Sequence, residues 1–478
     1  NYDKRHGYRG PIANNSNEDW HLTYLDQKKP YNFLIAKVNN IDEFENKANI
    51  EVLSNKKKVP GILTNFKWAR KSLSNGYVGP EVNKVSDLLR VGDIIYVSQN
   101  KKSSFNLEQV PKINGGIVVM DPYTGRVFAL SGGFDFNLSK FNRAIQAKRQ
   151  PGSSFKPFVY MSALENGLQP NSLILDAPFV VDQGAELGKW KPENYGKKFY
   201  GPSTLRMGLE KSRNLMTVRI SQDLGLKKIT KISKELGIYE NPNELLSISL
   251  GSAETTLLKL TSAYCSFVNG GKLIEPKLID RIQDSEGNTI YKTEVRKCKN
   301  CEDVSIQSND VPEIKDDSKQ IFSPQTAYQI TSILEGATKT GTAKKLRDLK
   351  MDLAGKTGTT NKNTDTWFIG FTSDLVIGVY VGYDEPKSLG KFETGAKTAM
   401  PIFKSFIKSA LKKENTRPFK VPENITMMVV DSKTGKKVSF ASKKTLIESF
   451  KSNKVLEKTN ISKKINNRFN NNNILRFY

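Results

Sequence analysis

The chain has 478 residues, 37% of them hydrophobic and 26% charged, with 74 Lys and Arg against 49 Asp and Glu for a formal charge of +25. At about 100–200 residues per domain this is room for two to four domains and for a large buried core, which excludes a disordered polycation. The two histidines, His6 and His21, both lie at the extreme N-terminus, which argues against a Ser-His-Asp hydrolase or a His-rich metal centre; any nucleophile must find another base, and lysine is the abundant one.

The basic excess suits an anionic partner, whether nucleic acid, membrane surface or polyanionic substrate. It equally suits a Lys- and Asn-biased solvated surface, because the lysines run the whole length. Cys265 sits alone in an apolar segment and reads as a small core residue. Cys298 and Cys301 form a single C-x-x-C, half a zinc site without further ligands, so no metal is expected; a surface disulfide is the other reading. No run approaches the ~18 apolar residues of a membrane span. Residue 1 is Asn and no signal peptide follows, so the chain reads as part of a longer or processed protein.

Residues 1–32 are polar, with Gly and Pro, and read as a linker. Within 33–98 the runs FLIAKV, ANIEVL, GILTNF and DIIYVS alternate with Asn/Lys/Gly turns, predicting a small all-β, barrel-like module. The polar stretch 99–109 reads as a separator. From 110 to 412 the pattern predicts one larger domain. It begins with a hairpin over 113–133 around Asp121-Pro-x-x-Gly125. Helices are predicted over 155–167, 204–225, 228–236 and 255–268, the last stopped by Asn269-Gly270-Gly271. An exposed polar loop with a hairpin follows over 283–320, then a helix over 325–337. Strands over 352–357, 366–372 and 375–383 and a helix over 399–412 complete it. Strands first, helices in the middle and strands last predict an α+β fold, an antiparallel sheet that joins both ends of the segment and is flanked by helices. Residues 413–450 predict a C-terminal hairpin in which ITMMVV pairs with KKVSF about DSKTG. The tail, 451–478, has seven basic residues against one acidic and an Asn run, a composition of disorder.

Three short elements recur in order: Ser153-Ser154-Phe155-Lys156, Ser212-Arg213-Asn214 and Lys356-Thr357-Gly358. Each alone is weak, since S-x-x-K, S-x-N and K-T-G all occur elsewhere in a Lys-rich chain. Context selects these copies. Ser153 follows Arg149-Gln-Pro-Gly152 and opens a helix, where backbone dipoles favour developing negative charge. Lys156 lies three residues on, on the same face, and a buried Lys beside another cation has its pKa lowered enough to accept a proton. Ser212 and Asn214 offer a hydroxyl to relay a proton and a carboxamide to hold a peptide carbonyl. Lys356 and Gly358 alternate with Thr357 and Thr359 along a strand, with Gly358 allowing close approach of a substrate backbone. The K-T-G copies at Lys339, after a helix, and Lys433, in a turn, are set aside.

This ordered set resembles that of penicillin-binding proteins and class A β-lactamases. Longer stretches resemble the transpeptidase part of class A penicillin-binding proteins of the Gram-negative 1A type: HGYRGP (6–11), MDPYTGRVFALSGG (120–133), FNRAIQAKRQPGSSFKPFVY (141–160), KWKPENYGKKFYGPSTLR (189–206), EKSRNLMTVR (210–219), SLGSAETT (249–256), CSFVNGG (265–271) and AGKTGTTNKNTDTWFIGF (354–371). The likeness covers roughly residues 1–410. The family's membrane anchor and glycosyltransferase domain have no counterpart in this sequence, and 33–98 falls where the family carries an OB-like insertion.

The resemblance implies D,D-transpeptidation of peptidoglycan without a cofactor. Ser153 would be the nucleophile, Lys156 its base and Ser212 the proton relay, with Asn214 orienting substrate. Lys356, Thr357, Gly358 and Thr359 would hold the terminal carboxylate and shape the oxyanion hole. The implied partners are stem peptides ending in D-Ala-D-Ala, an amino acceptor, β-lactams, and other cell-wall synthesis proteins or an outer-membrane regulator; nucleic acid is not among them. The implied location is the periplasmic face of the inner membrane. Two rivals remain open at this point. One is a β-lactamase or D,D-carboxypeptidase on the same scaffold, although no E-x-x-x-N loop lies between the second and third motifs. The other is a non-catalytic basic binding module, although aromatic and basic residues interleave thinly in 33–97.

Overall fold

The computed structural model describes residues 2–452 except Ser16 and residues 75–76, 183–187, 294–297, 300–312, 315–317, 412–415 and 443. Cys301 of the C-x-x-C pair and the tail beyond 452 therefore fall outside the described residues. The described residues divide into two compact units, one made of stretches within 2–115, 132–142 and 383–385, the other within 116–131, 143–382 and 386–452.

The first unit is a closed sheet in the order Ala13–Asn14, Asp93–Lys101, Leu34–Asp42, Lys47–Ser54, Lys57–Asn65 and Ser104–Glu108, with Asp93–Lys101 also pairing to Ser104–Glu108. Alternate residues point inward: Ala36 and Val38, Ile50 and Val52, Ile95 and Val97, Phe105 and Leu107 form its core. Gly61 is required there, because a Cβ would stand 2.5 Å from the Phe105 ring.

Two expectations are corrected here. The closing strand, Ser104–Glu108, lies in the stretch read as a polar separator; its sequence SFNLE alternates buried Phe105 and Leu107 with polar neighbours. Five residues with two apolar ones are too short a run to stand out without their partners. The lead-in residues are also part of the fold. Trp20 is buried with Ile35, Leu53 and Ile94, and its indole N–H donates to Glu51 at 2.8 Å.

The second unit is built on a five-stranded antiparallel sheet in the order Ala354–Thr359, Asp365–Phe371, Val376–Gly382, Asn114–Met120, Val127–Ser131. The N-terminal hairpin thus docks beside the last strand of the chain's sheet, as the α+β reading predicts. Helices cover both faces. Met400–Ala410 packs on one face, with Phe403 and Phe368 ring centroids 4.8 Å apart. Leu257–Val268 and Pro324–Lys339 pack against the sheet as well. A sheet covered on both sides explains why Asp365–Phe371 and Val376–Gly382 are buried at every position. Lys156–Glu165 is the central helix, and each of its residues from Lys156 to Leu164 is buried.

The helix predicted over 204–225 is in fact two, Leu205–Glu210 and Asn214–Leu224, broken at Ser212 with φ +56°. The C-terminal hairpin also differs from its prediction. The full ladder of Ile425–Asp431 runs to Thr445–Lys451, Met428 opposite Glu448, and KKVSF keeps only a single bridge to it. The Asp431 carboxylate accepts the backbone N–H groups of Lys433 and Thr434 and folds the chain into a turn. Residues 436–440 then make an isolated bridge, Lys437 to Val430. Glu448 and Phe450 are buried, so the later segment is the one the rest of the fold holds. Among the described residues no helix is long and apolar enough to cross a membrane, and no group of metal-ligating side chains occurs. Cys265 is a buried free thiol, as its apolar surroundings predict.

Candidate active site

Three backbone segments meet where the first motif begins. Gly152 has φ +54°, and a Cβ on it would lie 2.6 Å from the Thr359 carbonyl oxygen. Gly251 has φ +77°, and a Cβ there would lie 2.1 Å from the Gly152 oxygen. Glycine is the residue that permits both the left-handed conformation and this approach. Arg149 clamps the same turn: its backbone exchanges hydrogen bonds with Thr255 at 2.9 and 3.0 Å, and its Nε donates to Asp365 Oδ1 and the Tyr380 hydroxyl, both at 2.9 Å. Gly152–Phe155 then forms a single 3-10 turn that feeds Lys156–Glu165. Half-buried Ser153 lies between buried Gly152 and Ser154. The Ser154 hydroxyl donates to Pro151 O at 2.6 Å, and the Tyr264 hydroxyl donates to Ser154 O at 2.5 Å.

Lys156 is fully buried, and its Nζ donates to Ser212 O at 2.8 Å, Asn214 Oδ1 at 2.5 Å and Ser212 Oγ at 3.4 Å. Burial first, and the charge of Lys356 second, push its pKa well below the ordinary lysine value, against a smaller opposing pull from Asp176. Lys356 is also fully buried, and its Nζ donates to Ser212 Oγ at 2.8 Å and Thr357 O at 2.9 Å. Burial lowers its pKa to about 7. The Ser212 hydroxyl therefore stands between two lysine amines, from a central helix and from a sheet edge. Ser212 holds it there from a left-handed conformation, which for a non-glycine residue costs about 1–3 kcal/mol.

The second motif rests on a buried polar web that no sequence pattern singled out. Asp176, fully buried at the end of the short strand Leu173–Asp176, accepts from Arg213 at 3.0 Å and from Asn194 Nδ2 at 2.7 Å. Asn194 Oδ1 in turn accepts the Asn214 backbone N–H at 2.8 Å, so it serves the first turn of Asn214–Leu224 in place of a helix cap. The Asn214 carboxamide donates to Glu193 O at 2.7 Å while its oxygen takes Lys156. Asn194 lies in one of the stretches that carried the resemblance. Asp176 is a lone acid in LILDAP, with no sequence signal to mark it.

Of the residues named from sequence, Lys156, Ser212, Asn214 and Lys356 are joined by direct hydrogen bonds, and Ser153 sits one helical turn before Lys156. Thr357 Oγ1 donates to Thr342 Oγ1 at 3.1 Å, and Thr359 Oγ1 accepts the Gly395 N–H at 3.0 Å. Gly358 is tightly approached, but by the chain itself: a Cβ would meet Pro151 O at 2.5 Å and Trp367 Cβ at 2.8 Å. The other K-T-G copies lie elsewhere, Lys339 ion-paired with Glu335 at a helix end and Lys433 in the Asp431 turn. Chemically, the arrangement offers a hydroxyl on a tight turn, a buried amine whose lowered pKa favours giving up its proton, and a second hydroxyl wired to two amines.

The model of the penicillin-binding protein transpeptidase domain matches residues 115–408, and that of the penicillin-binding protein OB-like domain matches residues 8–113. The chain belongs to the penicillin-binding protein family. It is 43% identical over 460 residues to penicillin-binding protein 1A of Rickettsia typhi, across 95% of this chain and 56% of that protein. It is 34% identical over 487 residues to penicillin-binding protein 1A of Pseudomonas aeruginosa, across 94% of this chain and 58% of that protein. The chain thus spans a little over half the length of these curated relatives. The crystal structure of penicillin-binding protein 1A from Haemophilus influenzae superposes with a TM-score of 0.76 at 28% identity, covering 94% of this chain and 68% of that one. The OB-like match also covers Ser104–Glu108 and most of the lead-in residues, in agreement with the closed sheet described above.

Proposed function

We propose that this chain is a D,D-transpeptidase that cross-links peptidoglycan stem peptides through an acyl-enzyme on Ser153, and that β-lactams acylate the same serine. The observation that carries this reading is the Ser212 hydroxyl held between the buried amines of Lys156 and Lys356, beside the turn that bears Ser153. Lys156, its pKa held down by burial and by Lys356, takes the Ser153 proton as Oγ attacks the penultimate D-Ala carbonyl carbon. The backbone N–H groups of Ser153 and Thr359 receive the oxyanion, a contribution of about 3 kcal/mol each.

Collapse of this intermediate breaks the peptide C–N bond. The proton reaches the leaving D-Ala amine through Ser212 Oγ, already in contact with Lys156. Asn214 orients the peptide, and Lys356 with Thr357 and Thr359 receives its terminal carboxylate, a charge-assisted contact. Gly358 leaves the Pro151 turn room to lie against this strand. An amine from a second strand then attacks the ester, forms the new amide and frees Ser153. The partners on this reading are the D-Ala-D-Ala donor, the amino acceptor, β-lactams, and other envelope-synthesis proteins or an outer-membrane regulator. The work is done at the periplasmic face of the inner membrane.

Fluorescent penicillin should label the wild-type chain and leave Ser153→Ala unlabelled; equal labelling of the two would sink the proposal. Slow release of the penicilloyl group separates this reading from a β-lactamase, which would turn over a chromogenic β-lactam rapidly.

A further inference from the structure

Beside Asn214 the chain presents a rim of exposed aromatic rings that the mechanism above does not use. Between the strands Lys189–Trp190 and Gly201–Thr204, Tyr195 is 71% exposed, Phe199 53% and Tyr200 50%. Large rings so exposed, three within six residues, mark a surface with a binding role. They are not exposed through looseness. Buried Asn194 ties the loop to the Asn214 backbone at 2.8 Å, to Asp176 at 2.7 Å and across to Lys198 O at 2.9 Å. The Tyr200 N–H donates to Asp176 O at 3.2 Å, and the Arg213 guanidinium lies 3.1 Å from the centre of the Tyr200 ring. The rim is thus a preorganised platform fastened to Arg213 and Asn214, the two residues that follow the Ser212 hydroxyl in the chain.

Its charge identifies the occupant. Lys189, Lys191, Lys197 and Lys198 are exposed on this segment, with Glu193 the one acid among residues 189–200. Flat rings between ammonium groups fit a ligand that combines apolar C–H faces with carboxylates. A sugar ring offers the first, since its axial C–H bonds form a flat apolar face for an aromatic ring. Carboxylate-bearing peptides attached to that sugar offer the second. Resting on the transpeptidase reading, we infer that the Tyr195–Phe199–Tyr200 rim with Lys197 and Lys198 is a binding site for the glycan strand that carries the stem peptides. It grips the polymer outside the catalytic groups, so that the polymer is held while the peptide reacts.

The test uses the full chain and two exposed-site variants, Tyr195→Ala/Phe199→Ala and Lys197→Glu/Lys198→Glu, with three readouts: KM for uncross-linked peptidoglycan strands, KM and turnover for a sugar-free stem pentapeptide, and the rate of benzylpenicillin acylation. Each variant should raise KM for the strand about tenfold while the pentapeptide constants and penicillin acylation stay at the wild-type level. An unchanged strand KM in both variants overturns the inference. Equal losses on strand and pentapeptide overturn it too, since the rim would then hold the peptide or shape the catalytic groups. Failure of the wild-type chain to be acylated by benzylpenicillin would be a different result: it overturns the transpeptidase reading itself.

Discussion

Lys356 Nζ donates to Ser212 Oγ at 2.8 Å although the two residues are 144 positions apart in the chain. The hydroxyl so held also faces Lys156 Nζ at 3.4 Å. Removing it breaks the path between the two amines without touching the nucleophile. Ser212→Ala is expected to slow acylation by about a hundredfold, the lower range for loss of a general acid–base group, while Ser153 remains the acylated residue. Stopped-flow acylation with mass spectrometry of the adduct checks both parts; wild-type rates would contradict the relay.

The lysines also set a pH profile. On the proposed mechanism Lys156 must be neutral to act as base, and its lowered pKa puts that condition below the ordinary lysine range. Lys356 must be charged to attract a carboxylate, and in the free enzyme it loses its proton near pH 7. The rate constant for acylation at low β-lactam concentration should therefore fall as pH rises above about 7 through loss of the Lys356 charge. In Lys356→Arg this alkaline limb should move up by several pH units, because guanidinium stays charged. A limb that does not move would assign it to another group.

Stability carries the same signature with a definite sign. The folded chain holds Lys356 at about 7, below its ordinary 10.5, so between these values the unfolded chain binds more protons and stability rises with pH. Below about 7 the full cost of burying the charged amine is present. Lys356→Met removes that cost. Its melting temperature relative to wild type should be highest at pH 6 and should decline steadily from pH 7 to 10, read by calorimetry across that range. A difference independent of pH would contradict the assignment.

The C-terminal hairpin is expected to be structural and not ornamental. Buried Arg206 donates to Glu448 at 2.5 and 2.6 Å, to Glu210 at 3.2 Å, and to Ser332 O and Oγ at 3.0 and 2.8 Å. Glu210 in turn accepts from Thr340 at 3.1 Å, two residues before the Thr342 that meets Thr357. Deleting one partner of such a buried pair leaves a charge uncompensated, a loss of about 3–5 kcal/mol. Glu448→Ala should show that loss in urea denaturation, with acylation reduced as well. A change under about 1 kcal/mol would mean that Glu210 alone satisfies Arg206.

Gly152 offers a sharper local test. Alanine there meets both the left-handed φ of +54° and the Thr359 oxygen at 2.6 Å. Gly152→Ala should cost more than about 1 kcal/mol of stability and lower penicillin acylation, because relief of the clash moves the Ser153 turn away from the K-T-G strand. Labelling rate and denaturation midpoint together check it; Gly237→Ala, with φ +68° but open space around it, is the control for φ strain alone.

Much of this site was legible in the chain. Lys156, Ser212, Asn214 and Lys356, which direct hydrogen bonds join, are marked in the chain by residue type, spacing and order. The sheet of the larger unit was legible for a related reason: strands covered on both faces are nearly continuous apolar runs, as WFIGF and VIGVYV are. Legibility failed where a residue's role depends on a distant partner. SFNLE becomes a strand because Lys57–Asn65 and Asp93–Lys101 leave an edge for it to close. The predicted helix over 204–225 breaks because Ser212 is drawn into a left-handed bend between two amines. KKVSF keeps only a bridge to Val430, and the full ladder goes to a segment whose Glu448 finds Arg206.

The order of motifs and the α+β character were therefore determined by the sequence alone, since local spacing and burial pattern are properties of neighbouring residues. The tertiary structure decided the rest. It placed Asp176 and Asn194 under the second motif, set Gly358 against the Pro151 turn and brought Lys356 to Ser212. Those outcomes depend on burial and on hydrogen bonds closed between residues far apart in the chain, and no run of neighbours encodes them one by one.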